Sequence, residues 1–414
     1  MEKIILFWIT YFEEVYNNLI INLIYKQNIP ELRYDRFKEE WEEKYLKDVC
    51  VINPKTEVPE VFNYIDLESV NSGILTDAQK IRKNDAPSRA QRKLDKKDIL
   101  FATVRPYQQN NYYFNLDGTY VASTGYAQIK AKENSQYLYY FLHTKQFLNE
   151  VMKRCTGTSY PAINSNDLKT IKIKIPSNNE QKKIASVFSY LDQKIELMEK
   201  TLMLVKKYQN ETIKNIFDKQ NYPDDWKKVS LNDLGTFYRG LSYNKEEVVE
   251  KGNIVLRSNN IKENQLDFSS DELQYVSKDI KPELMLQKKD IVICMNNGSK
   301  KLVGKSAEYN IIINEPITVG AFCSIFRPNN KLSKFLFRTE TYKRNIYYII
   351  AGSNINNLKN SEMGMFNFYI PTDKEEENKL FSLLTNIDKK YYLLEKEIVL
   401  NKQLKKSLLS KMFC

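Results

Sequence analysis

Lys169-Thr-Ile-Lys-Ile-Lys-Ile-Pro176 runs into Ser177-Asn-Asn-Glu180 and then into a long stretch of helical periodicity. Met363-Gly-Met-Phe-Asn-Phe-Tyr-Ile-Pro371 runs in the same way into Thr372-Asp-Lys-Glu375 and a second such stretch that reaches Cys414. The two prolines are 195 residues apart, and the same shift carries Gly125 to Gly320, Gly157 to Gly352, Asp167 to Glu362 and Leu168 to Met363. One unit, globular part first and long helix second, is written twice. That predicts a pseudo-symmetric molecule with two similar binding surfaces.

Ahead of the first proline, Ile171, Ile173 and Ile175 alternate with Lys172 and Lys174, the period of a strand with one buried face. Phe366, Phe368 and Ile370 take the buried places in the second copy. Ser177 with Glu180, and Thr372 with Glu375, have the spacing of capping boxes at the start of each helix. Ile184, Phe188, Leu191, Ile195, Met198, Leu202 and Val205 then recur in steps of four and three, a coiled-coil seam. A shift of 196 gives Leu380, Leu384, Ile387, Tyr391, Leu394, Ile398 and Asn401, so the two helices are built to meet the same kind of surface, most simply each other. Asn401 is either a polar seam residue that sets register or a helix-end residue turned to solvent.

Other segments repeat as well. Trp41-Glu-Glu-Lys-Tyr-Leu-Lys-Asp48 and Trp226-Lys-Lys-Val-Ser-Leu-Asn-Asp233 open the two globular parts, and Leu94–Phe101 and Leu286–Ile293 repeat a turn and strand. Lys26-Gln-Asn-Ile-Pro30 matches Lys219-Gln-Asn-Tyr-Pro223, so residues 4–25 read as a helix repeating the tail of the long helix, expected to lie beside the long pair. The expected organisation is an N-terminal helix over 1–30, globular parts over 31–176 and 220–371, and long helices over 177–219 and 372–414.

The 414 residues carry 63 Lys+Arg against 52 Asp+Glu, a formal +11. With a pI near 9.0, an anionic partner is expected. Cysteines 50, 155, 294, 323 and 414 are scattered and form no Cys-x-x-Cys pair, which fits a reducing cytoplasm and argues against a zinc knuckle. Glu13 and Glu14 interrupt the apolar run that begins at Ile4, well short of the roughly 20 residues a membrane span needs, so no membrane association is expected.

Catalysis has little to stand on. His143 is the only histidine, which removes most enzymes that need an imidazole base. No Asn/Asp-Pro-Pro-aromatic element of an amino-methyltransferase is present, and Gly298-Ser-Lys-Lys-Leu-Val-Gly-Lys-Ser306 has five residues between its glycines where a phosphate loop has four. No catalytic residue, metal ligand or cofactor is expected on this chain.

Nucleic-acid contact has better candidates. Asn296, Asn297, Ser299, Lys300, Lys301 and Lys305 form a basic hairpin that mixes phosphate-seeking charge with amides suited to adenine edges. The corresponding stretch of the first copy holds Arg105, Gln108, Gln109 and Asn110, again amide-rich, with a guanidinium suited to guanine. Thr158, Ser159, Tyr160 and Asn164 follow Gly157, and Ser353, Asn354, Asn356 and Asn357 follow Gly352, turns able to approach phosphates. For each of these the alternative is a solvated loop.

Gly157-Thr-Ser-Tyr-Pro-Ala-Ile-Asn164 leading to Asp167-Leu168, the Ile-x-Ile-Pro strand end and Glu180-Gln-Lys-Lys-Ile-Ala185, followed by a second unit of similar plan, resemble the specificity (S) subunits of type I restriction-modification systems. The second copy departs from the pattern at Gly352-Ser-Asn-Ile-Asn-Asn-Leu358 and Glu375-Glu-Glu-Asn378. The resemblance implies an α+β fold with two mixed, strand-rich target recognition domains joined by two long antiparallel coiled-coil helices. It implies a non-catalytic chain whose two domains each read one half of a bipartite double-stranded DNA target; because the helices and junctions repeat while the loops do not, that target is expected to be asymmetric. Its partners would be modification (methyltransferase) subunits carrying the S-adenosylmethionine chemistry and ATP-driven restriction subunits. The competing reading from another class is a coiled-coil scaffold whose domains bind only protein.

Overall fold

Two helices dominate the chain, and both start where the sequence turns from strand alternation to helical spacing. The computed structural model describes residues 30–269, 272–311, 313–352 and 356–413 together with the strand Leu19–Ile21. Helix α1 spans Asn178–Phe217 and α2 spans Lys374–Lys411. Ile184, Phe188, Leu191, Ile195, Met198 and Val205 of α1 are buried, as are Leu384, Ile387, Ile398 and Asn401 of α2. Asn401 is thus a seam residue: its amide donates to the Glu397 carbonyl at 2.8 Å and lies 3.9 Å from the Met198 sulfur.

The chain divides into two compact units whose boundaries fall inside both helices, one made of residues through Glu199 with Lys396–Cys414, the other of Lys200–Glu395. In the first unit a four-stranded antiparallel sheet runs in the order Tyr112–Tyr113, Ile99–Ala102, Tyr126–Ala131, Cys50–Ile52. A second sheet runs Gln79–Arg82, Val61–Ile65, Tyr120–Ser123, Ala90–Lys93, with Tyr120–Ser123 parallel to Val61–Ile65. The strand Lys172–Ile175 pairs with Glu42–Tyr45 and buries Ile173, the alternation its sequence shows.

The second unit repeats this plan. Ser306–Glu308, Ile291–Cys294, Cys323–Pro328 and Gly235–Arg239 form the antiparallel sheet, and Asn367–Pro371 pairs with Trp226–Ser230, burying Phe368 and Ile370. In the other sheet Ile317–Val319 again runs parallel to Asn253–Leu256. Only the edge differs: the first unit adds Ala90–Lys93 beside its parallel strand, the second adds Val248–Val249 beyond Gln274–Val276.

Each unit buries the end of one long helix. Leu408, Met412 and Phe413 of the C-terminal segment lie in the first unit's core, where the Phe413 ring sits 5.6 Å from Phe188 and 5.4 Å from Tyr137. Ile213 and Phe217 of α1 lie in the second unit's core with Trp226 and Leu384. A polar fastening recurs beside these cores. Asp192 accepts from Lys405 and from the Tyr140 hydroxyl in the first unit, and Asp388 accepts from Gln209 and Arg338 in the second. Asp192 and Asp388, like Gln209 and Lys405, are 196 residues apart, so the repeat legible in the seam extends to the contacts that tie domain to helix.

Three expectations are corrected. Leu19–Ile21 is a strand antiparallel to Leu32–Tyr34 and not helix, because a short run of Leu-Ile-Ile suits either period and a partner strand decides it. The rest of the proposed N-terminal helix lies outside the described residues. Glu180 does not serve mainly as a capping partner: both its oxygens accept from Arg33, at 2.8 Å each, in an ion pair buried on both sides. At α2 the cap is Asp373, whose carboxylate accepts from the N–H groups of Glu375 and Glu376, while the Thr372 hydroxyl donates to the Asp225 carbonyl. Those two backbone bonds hold the Asp373 carboxyl below its ordinary value.

Candidate nucleic-acid interface

In the first unit the loop leaving strand Ile99–Ala102 is stitched to the turn near residue 160. The Thr103 N–H and hydroxyl both donate to the Gly125 carbonyl, the Thr103 carbonyl accepts from Ile163 N–H at 3.0 Å, and the Arg105 N–H donates to the Pro161 carbonyl at 2.8 Å. Val104 and Ala162 form a bridge, as do Thr156 and Ala162. Two turns about fifty positions apart in sequence, at 105–109 and 157–160, therefore lie side by side. Arg105 and Gln109 both have φ of 51° and bracket a 3-10 turn over Pro106–Gln108. Left-handed backbone at non-glycine residues is costly and is kept here by the surrounding bonds.

The Arg105 guanidinium sits 4.3 Å from the ring centroid of Tyr160, which is 63% exposed. Stacking pre-orients the planar fork that pairs with a guanine edge or a phosphate. Gln108, Thr158 and Ser159 are exposed beside it, and Gly157 has φ of 87°, a conformation that favours glycine. Three residues are more structural than expected. The Gln109 amide donates to the His143 carbonyl, the Asn110 side chain accepts from Ser72 N–H, and Asn164 caps the short helix Ser165–Lys169 by accepting from Asn166 and Asp167.

His143 is structural too. Its Nδ1 is 2.7 Å from the Tyr139 carbonyl, so that nitrogen carries the proton and Nε2 accepts from Asn111 at 3.4 Å. Burial pushes its pKa down to about 4. It lines a cleft of about 560 Å³ with Gln108, Gln109, Tyr139, Lys405 and Lys406, and among the described residues no carboxylate accepts from its ring.

The second unit builds the same junction with other side chains. Asn296 bridges Asn357, the Leu358 N–H donates to the Met295 carbonyl at 2.9 Å, and the Asn356 amide donates to the Gly298 carbonyl at 3.2 Å. Asn297 is held from both ends, donating to the Ser258 hydroxyl and accepting from Ser299 N–H. Lys300 and Lys301 are exposed in the 3-10 turn Lys300–Leu302, and neither has an ion pair among the described residues. Lys305 instead points inward, donating to the Ser258 and Ile261 carbonyls, so its charge anchors the hairpin. A strand, Ser306–Glu308, follows this glycine-containing stretch where a phosphate loop would be followed by a helix. Ser353 and Asn354 lie outside the described residues.

The register also re-aligns the two copies here. Met295 N–H donates to the Phe322 carbonyl as Thr103 N–H does to Gly125, so Gly125 corresponds to Phe322, whereas the uniform shift of 195 had paired it with Gly320. The shift drifts because the intervening loops differ in length. Phe322, 67% exposed, and Tyr107, 49% exposed, are the aromatic members of these loop ends that the sequence did not single out. Within Gly320-Ala-Phe-Cys323 a phenylalanine reads as strand core, and only the turn exposes it.

Among the described residues no group of three or more His, Cys, Asp or Glu is placed to hold a metal, and no helix is long and apolar enough to cross a membrane. Cys294 and Cys323 face each other across neighbouring strands, buried as free thiols, and burial pushes Cys323 up to about 12, which disfavours a nucleophilic thiolate.

A repeated domain that presents amides, cations and exposed aromatics from one loop end in each copy has the arrangement of a two-site recognition protein. The profile of the type I restriction modification DNA specificity domain matches residues 38–207 and again 223–405, and the chain belongs to that family. The specificity subunit of the type I restriction enzyme EcoKI from Escherichia coli K12 is 32% identical over 178 residues, which cover 40% of this chain and 38% of that protein. The specificity subunit of the type I restriction enzyme MjaVIII from Methanocaldococcus jannaschii is 24% identical across 92% of this chain and 93% of its own length. In fold, the chain is similar to the crystal structure of a type I restriction-modification S subunit from M. genitalium, with a TM-score of 0.62 and 16% identity over 93% of this chain and 99% of that one.

Proposed function

We propose that this chain is the DNA-reading specificity subunit of a type I restriction-modification complex. Each compact unit reads one half of a bipartite target. The observation that carries the reading is the doubled loop end: the same junction of two distant turns, built once around Arg105 and Tyr160 and once around Asn296, Lys300 and Lys301. Similar scaffolds with different side chains are what two different half-sites require. The two halves of the target are therefore unequal.

The long helices are read as an antiparallel pair that sets the spacing of the half-sites; α1, with 40 residues, is about 60 Å long at 1.5 Å per residue. Modification subunits supply the S-adenosylmethionine chemistry and restriction subunits the ATP-driven cleavage, so the chain itself carries no cofactor and neither cuts nor methylates DNA. It works in the cytoplasm, where its DNA is.

The test is to map methylated bases in cells expressing this chain with its modification partner. A bipartite, asymmetric motif that changes when the 105–109 or 296–301 loop is exchanged is expected. A perfect palindrome, or a motif indifferent to both loops, refutes the reading. Salt dependence separates it from a protein-only scaffold, since a DNA reader loses affinity as a steep power of salt.

A further inference from the structure

Phe322 is a large apolar side chain standing in water in a loop end that also presents Asn297, Ser299, Lys300 and Lys301. It lies two-thirds exposed in the turn between Ile317–Val319 and Cys323–Pro328. Its ring is exposed while its backbone is held. The Phe322 carbonyl accepts from Met295 N–H at 2.8 Å and from Asn296 N–H at 3.2 Å. The turn is closed by Cys323 N–H donating to the Gly320 carbonyl at 2.8 Å, and Gly320 N–H donates in turn to Leu256 in the neighbouring sheet, also at 2.8 Å. On the other side the Leu241 N–H donates to Val319 and Gly240 N–H to Cys323. The ring therefore rises from a pedestal tied to three strands, beside Asn296 and in the same loop end as the exposed Lys300 and Lys301.

We propose that Phe322 is a wedge that inserts at a base step of the half-site read by the second unit, unstacking it and bending the duplex there. The inference rests on the DNA-reading function proposed above and adds a second mode of recognition to it. Apolar side chains inserted between base steps unstack them and kink the helix, and the cost depends on the sequence being deformed. A wedge needs a rigid mount, because disordering on insertion would cancel the gain, and this turn is bonded on every side. It also needs cations nearby to draw the phosphates close, which Lys300 and Lys301 supply. The first unit has no equivalent: Gly125 occupies the matching place, and a Cβ there would meet Leu67 at 2.8 Å. Deformation through this turn would thus be read only in the half-site of the second unit, favouring a flexible pyrimidine–purine step there.

The experiment uses the full chain assembled with its modification subunits and duplexes carrying the mapped motif, with 2-aminopurine placed in turn at each step of the second half-site. The wild-type complex is expected to brighten one step besides any base extruded for methylation, which gives its own signal. F322A should lose that brightening, keep the signal of the extruded base, and bind the cognate duplex about tenfold to a hundredfold more weakly, as base–aromatic contacts do on truncation. F322W should retain the brightening. Thermal unfolding and assembly should match the wild type, since the ring touches solvent. A wild-type complex that binds specifically, with F322A equal to it in affinity and fluorescence, overturns the wedge and leaves the DNA reading standing. So does an F322A chain that fails only to assemble with its protein partners, which would make Phe322 a protein contact. A wild-type complex with no sequence preference overturns the DNA reading itself, and the wedge falls with it.

Discussion

Arg33→Ala should unlatch the first recognition unit from its helix. The Arg33 and Glu180 side chains are 4% and 2% exposed, and they share two bonds of 2.8 Å, with a third from Arg33 to the Glu39 carbonyl. Removing the guanidinium leaves a carboxylate in the first turn of α1 with neither water nor a cation. Breaking a buried pair from one side costs about 3–5 kcal/mol, while replacing both partners by apolar groups of similar volume is often neutral or better. At about 2–4 °C per kcal/mol for a unit of this size, the single variant should melt roughly 6–20 °C lower. R33M/E180L should recover most of that loss, and the cycle through E180L gives the coupling directly. Hydrogen exchange read by mass spectrometry is the suitable assay, because it follows peptides of the first unit separately from the second, and the whole chain need not unfold in one step. An R33A chain within 1 kcal/mol of wild type, or a double variant as unstable as the sum of the singles, would refute the reasoning.

Arg105→Ala should cost about 1–3 kcal/mol and relax specificity at one position of the first half-site only, with R105K little better because an ammonium neither stacks on Tyr160 nor pairs bidentately; competition binding against single-base variants of the motif checks this. Replacing Lys300 and Lys301 by glutamine should weaken binding to all sequences alike and reduce the salt slope by about 2, read from titrations at several salt concentrations. His143 gives a pH signature. Burial lowers its pKa from 6.5 to about 4, so the unfolded chain takes up a proton first as pH falls. The stability of the first unit should be full above pH 6.5 and decline by roughly 3 kcal/mol toward pH 4. H143Q should flatten that slope in denaturation measured at pH 7.5 and 5.

Much of the candidate interface was legible because it recurs. Arg105, Tyr160, Lys300 and Lys301 lie in stretches whose flanks repeat while their own residues do not, and a loop that varies on a repeated frame points to recognition. Asn164 and Lys305 had the right chemistry but the wrong surroundings: one side chain is spent on a helix cap, the other on two carbonyls. Nothing in residue type distinguishes a lysine aimed at solvent from one aimed at its own backbone. Phe322 was illegible for the converse reason, since its exposure comes from a turn of four residues held by Gly320.

By itself the sequence determined the doubling, the strand-to-helix junctions and the seam of each long helix, because periodicity is a local property that residue spacing records directly. Counting put Asn401 at a seam position, and only its burial against Met198 excluded a helix end turned to solvent. Tertiary structure decided the rest: that Arg33 takes the carboxylate read as a cap, that Asp373 caps α2 in place of Thr372, that Leu19–Ile21 pairs as a strand, and that Gly125 matches Phe322. These depend on which partner across the fold satisfies a charge, a hydroxyl or a strand edge most completely. That competition is settled between residues far apart in the chain, where spacing carries no information.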